Sequence, residues 1–103
     1  NWYDNVVALA IPGGDFDLVK GVTGILPVYA IPNQGSAFRV PDYTDLDFTS
    51  AAGVTGVKIG LHTGLYEGMT GTGPTVVLTV KGTTGTGSLI GVEASCVVTT
   101  KTS

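Results

Sequence analysis

Apolar and polar residues alternate at every second position in two stretches of the chain. Across 75–81, Val76, Leu78 and Val80 share one face while Thr75, Thr79 and Lys81 share the other. Across 57–62, Val57, Ile59 and Leu61 alternate with Lys58, Gly60 and His62. A period of two belongs to a strand with one buried face, so both stretches are predicted strands. Further strands are predicted over 5–11, 16–20, 25–31, 37–41 and 88–100, about seven in all. In the last of these Ile90, Val92, Ala94, Cys96 and Val98 fall on alternate positions, which turns Cys96 inward. Two segments, 6–11 and 25–31, are apolar on both faces. A two-layer sandwich in water would leave half of each exposed, so something else is expected to cover them. The segment 42–52 is the best candidate for a helical turn, because Pro41 can open it and Gly53 can close it.

Glycine and proline punctuate the pattern. Sixteen Gly and five Pro leave 92–103 as the longest run free of both, which excludes long helices. Between them the chain is rich in Val, Ile, Thr and aromatic residues, the types that suit a pleated surface. The turns at 68–73 and 82–87 echo each other in Gly and Thr and bracket the 75–81 strand. The fold class that follows is all-β: a small antiparallel sandwich or barrel with Gly/Thr-rich turns and at most one short helical turn near 42–52. A chain of 103 residues supports one hydrophobic core, hence a single β domain over 1–103.

Composition narrows the chemistry. Charged residues are 13% of the chain, about half the usual fraction, and hydrophobic residues are 43%, with a mean hydropathy of +0.36. Such a chain folds rather than remaining disordered. Five Lys and Arg against eight Asp and Glu give a net charge of −3, with no basic surface for nucleic acid or anionic lipid. No apolar run approaches the roughly 18 residues of a membrane helix, so membrane insertion is not expected. The chain opens on Asn1 and Trp2 without an initiator Met, read as a cleaved leader or a fragment. A lone Cys96 cannot form an internal disulfide, so the fold must stand on packing, with Cys96 an inert core thiol.

No constellation of catalytic residues emerges. His62 is the only histidine, it lies on the polar side of its strand, and no G-x-S-x-G elbow accompanies it. It is read as an exposed or loop-contacting residue. One His and one Cys lack the paired spacing of a zinc site, so no metal is expected from them. The run 82–91 has the glycines of a phosphate loop, but strand-like alternation follows where a helix is required, so no cofactor is expected. Asp15 and Asp17, then Asp42, Asp45 and Asp47, form two acidic groups; they are read as solvated turns, with calcium as the alternative. Trp2, Tyr3, Phe16, Tyr29, Phe38, Tyr43, Phe48 and Tyr66 are read as core and interface packing, with a carbohydrate-stacking face as the alternative. Trp2 and Tyr3 are expected to dock on this subunit or on a neighbour.

A small domain with so few charges has too much surface to stand alone comfortably. Burying its faces or edges against copies of itself, or against a larger lattice, resolves that. The expectation is a non-enzymatic structural subunit that self-associates, as a trimer for example, or binds a lattice such as a capsid. The expected contact residues are Trp2 and Tyr3 together with Ile25, Leu26, Val28, Tyr29 and Ile31. Small β subunits rich in Gly, Thr and Val are familiar in virus and phage particles as capsid decoration or cement proteins and as fibre or tail components. This is a likeness of class, without a motif specific to one family, and the location expected from it is a virion. The alternatives are an extracellular or cell-surface filament subunit that donates 1–11 to a neighbour's sheet, and a carbohydrate-binding β module.

Overall fold

The strongest alternation in the chain becomes the middle of its largest sheet. The computed structural model describes residues 1–51, 55–83 and 89–103, and among these are ten strands and no α-helix. Strand β9 (Thr75–Gly82) lies between β10 (Glu93–Lys101) and β6 (Leu46–Ser50), antiparallel to both. Strand β2 (Phe16–Val19) pairs in parallel with the other side of β10. Val76, Leu78 and Val80 point into the protein, joined there by Cys96 and Val98 of β10, Leu46 and Phe48 of β6, and Leu18 of β2. The opposite face is mostly polar apart from the Val77–Val97 pair, with Thr79 and Ser95 hydrogen-bonded hydroxyl to hydroxyl at 3.0 Å.

Two three-stranded antiparallel sheets complete the fold. One has the order β1 (Val6–Ala10), β4 (Tyr29–Pro32), β5 (Phe38–Arg39). The other has the order β3 (Thr23–Ile25), β8 (Leu65–Gly68), β7 (Val57–Ile59). Their inward residues, among them Val6, Leu9, Leu26, Val28, Ala30 and Val57, join those of the large sheet in one hydrophobic cluster. The all-β expectation is met, with the strands divided among three sheets.

Several elements differ from the pattern reading. Of the expected helical turn over 42–52, the described residues 42–51 show none: Leu46 and Phe48 point inward on alternate positions, making β6, an edge strand of the large sheet. Pro41 opens a tight turn there instead, with the Asp42 carboxylate accepting from Thr44 N at 2.9 Å. Gly53, the expected closing residue, lies outside the described residues, as do 84–88 of the second Gly/Thr turn and the expected strand start at Ser88. The last strand begins at Glu93, after a turn closed by Val92 N donating to Leu89 O at 3.1 Å. The expected strand 25–31 divides in two, because Pro27 has no N–H for a ladder and the chain changes sheets there. Strand β8 was masked in the sequence by Gly64 and Gly68 at its ends. Ten strands therefore replace about seven, and the β2–β10 pair runs parallel.

The change of sheets at Pro27 is held by one side chain. The Tyr43 hydroxyl donates to Leu26 O at 2.7 Å and accepts from Val28 N at 2.9 Å, pairing backbone groups on both sides of the proline. The Tyr43 ring meets Phe48 with centroids 5.1 Å apart, and Gly64 lies beneath both rings. Gly64 has φ +68°, and a Cβ there would come within 3.0 Å of the Tyr43 ring.

Candidate functional site

The residues expected to make contacts divide sharply by burial. Tyr3, Leu26 and Val28 belong to the core of their own chain, which corrects their assignment to a contact surface. Trp2 is half-buried and packs against the same core, its ring edge-on to Tyr3 at 5.5 Å between centroids, so both terminal aromatics dock on this subunit. Tyr29 is half-buried, and Ile25 and Ile31 are exposed. The reason is strand geometry: Leu26, Val28 and Ala30 point in, while Ile25, Tyr29 and Ile31 point out, and the alternation survives the change of sheets at Pro27.

The doubly apolar segments keep their outward side chains uncovered. Val7, at an irregularity in the β1–β4 register, and Ile31 remain exposed on one small sheet. On the other, Ile25 is 59% exposed and stands directly across from Leu65, which is 52% exposed. Leu65 lies on β8, outside the segments that pattern reading singled out; the Leu65–Tyr66 pair flanked by glycines was the available signal. Beside this pair on the same face, Lys58 of β7 stands opposite Glu67 of β8.

An open cleft of about 360 Å³ adjoins Ile25, lined also by Arg39, Asp42, Tyr43, His62 and Thr63. Its polar groups are largely committed to structure. His62 Nδ1 lies 2.9 Å from Leu46 O and 3.3 Å from Asp47 Oδ1. A carbonyl can only accept, so Nδ1 carries the proton in this arrangement and the imidazole ties the turn after β7 to β6. The Tyr43 hydroxyl is engaged on both sides, and burial raises it above its ordinary pKa. Thr63 Oγ1 accepts from Leu65 N at 3.2 Å. Of the two sequence readings of His62, exposed or loop-contacting, the first matches: His62 is exposed, but it lies in the turn after β7 and its contacts are to strand β6.

The two acidic groups are dispersed into separate roles. Asp15 accepts from Val97 N at 2.8 Å, and Asp17 pairs with Lys101 at 2.7 Å. Asp42 caps its own turn, and that bond lowers its carboxyl below the usual range. Among the described residues no three His, Cys, Asp or Glu side chains gather as a metal site would require. Cys96 is buried, and burial followed by the Asp15 charge raises its thiol above the ordinary value. The aromatics serve the core: Tyr3 and Phe48 are within it, and all the others except Tyr29 pack against it. The candidate site is therefore the exposed apolar surface around β3 and β8. No family model matches this chain, and no curated protein matches it.

Proposed function

We propose that the protein is a non-enzymatic structural subunit that works by self-association through exposed β surface, as a building or decorating element of a virus or phage particle. The observation that carries this reading is the outward apolar surface left open by the chain's own fold, which includes Val7, Ile25, Ile31 and Leu65. Completing the burial of a half-exposed aliphatic side chain is worth on the order of 1 kcal/mol, so four of them supply a driving force that a lone subunit leaves unused. The low charge content points the same way, because few ionic groups need desolvation when surfaces meet. The single buried thiol and the absence of stapling suit a particle assembled in a reducing cytoplasm. The filament alternative gains no support from the first strand, since β1 is already paired, apart from the irregularity at Val7, with β4 of its own chain.

Absolute mass by light scattering over a concentration series tests the reading, run with and without a calcium chelator. The expected result is a mass rising to a multiple of 10.5 kDa and indifferent to chelation. A mass fixed at one copy at every concentration overturns it.

A further inference from the structure

We infer that β3 is the seam of self-association, pairing antiparallel with β3 of a second copy about a two-fold axis through Gly24. This inference rests on the assembly reading and gives it a location. Leu26 N donates to Gly64 O at 2.9 Å, and Gly68 N donates to Val22 O at 3.1 Å. Both bonds fall in the register that sets Thr23 across from Glu67, Gly24 across from Tyr66 and Ile25 across from Leu65. Hydrogen-bonded and non-bonded pairs alternate along an antiparallel ladder. Gly24 therefore exchanges its bonds with Tyr66, while the N–H and C=O of Thr23 and Ile25 point away from β8. Among the described residues no other strand pairs with β3.

This edge lacks the usual protections. It carries no proline and no charge over 22–25, and Val22, Thr23 and Ile25 are all exposed; its one irregularity is at the start, where Gly21 N and Val22 O both bond Gly68. Its free groups are symmetric about Gly24. Setting Thr23 against Ile25 of a second copy, and Ile25 against its Thr23, satisfies four donors and four acceptors together. The paired edge is then self-complementary, as an interface between identical copies must be.

Side chains and charge agree with that register. At the centre, Gly24 faces its own copy without side chains, which leaves the space to Tyr66: a Cβ at Gly24 would collide with the Tyr66 hydroxyl. On the outer face, pairing sets Ile25 beside Thr23 of the second copy and diagonal to its Ile25, and extends two three-stranded sheets into one of six. Lys58 and Glu67 on that face stand opposite each other, and the cleft beside Ile25 adds one charge of each sign, Arg39 and Asp42. The seam is thus neutral although each chain carries −3 overall.

The test uses the intact protein and two substitutions at one position. Thr23→Pro removes a donor that has no role inside the subunit, a change edge strands accept when that N–H faces outward. Thr23→Val keeps the N–H. In sedimentation or light scattering, Thr23→Pro is expected to raise the dissociation constant at least tenfold relative to wild type, and Thr23→Val to leave it within about twofold. Amide exchange on the unmodified protein is a second readout, needed if Thr23→Pro fails to fold: protection at Thr23 and Ile25 rises with concentration, while Gly24 is protected throughout. Association that survives in Thr23→Pro, or exchange at Thr23 and Ile25 independent of concentration in a protein that does associate, overturns the seam and leaves the assembly reading intact. A wild-type protein that stays at one copy overturns both.

Discussion

At the scale of single residues, two positions at the change of sheets carry more than their size suggests. Gly64 must be glycine on two counts, a left-handed φ of +68° and the Tyr43 and Phe48 rings above it. Gly64→Ala is expected to lower stability by about 1–3 kcal/mol, read as a fall in the urea midpoint at unchanged m-value. Tyr43 bridges Leu26 O and Val28 N, and burial raises its phenol above 10.0, against the Val28 bond and the Arg39 charge. Burial and then Asp15 raise Cys96 above 9.0. Both groups hold their protons more tightly in the folded protein than in the unfolded chain. Stability is therefore full below about pH 9 and falls as the pH rises from there, because the unfolded chain ionises first. Urea midpoints measured at about pH 8 and about pH 10.5 are expected to show the drop. Asp42 acts in the opposite sense, its lowered carboxyl losing its contribution as the pH falls, but it is fully exposed and its effect is small.

At the scale of elements, position within a sheet decides what a strand is worth. β9 has a partner on each side and sends Val76, Leu78 and Val80 into the core, all buried. β2 is an edge strand, and its link to β10 includes the Asp17–Lys101 pair, half-exposed at both ends. Leu78→Ala is expected to destabilise by about 2–5 kcal/mol through lost transfer energy and a residual cavity. Asp17→Asn is expected to change stability by less than about 1 kcal/mol, since an exposed pair is screened and entropically weak. Equilibrium urea unfolding of the two variants checks both. The same logic separates β8 from its neighbours. β8 is flanked by β3 and β7 and pairs with both, yet its short alternation between Gly64 and Gly68 left it unread in the sequence.

At the scale of the whole molecule, shape supports the proposed association. The radius of gyration is 13.9 Å and the body measures 42 × 23 × 17 Å, so its thin dimension holds little more than two sheet layers at about 10 Å spacing. Such a slab has much surface for its volume, and the chain has few charges to cover it. If assembly covers Val7, Ile25, Ile31 and Leu65, the thermal midpoint rises with protein concentration by mass action, a second readout of the mass measurement proposed above.

Periodicity alone established the all-β class, the inward faces of β9 and β10, the burial of Cys96 and the exposure of His62, because a two-residue period and the spacing of Gly and Pro are local properties of the chain. The apolar character of 25–31 on both faces was equally legible, but its meaning was not. Whether Leu26 or Ile25 meets solvent depends on which sheet lies against the segment, and the chain changes sheets at Pro27. Trp2 and Tyr3 could have served a neighbour as well as their own core; only the long-range packing of the first turn against distant strands resolved it. The open edge of β3 was beyond sequence for the same reason. Which backbone groups of Thr23 and Ile25 are free follows from a register with β8, some forty residues away in the chain, and register arises only when the sheets close on a common core.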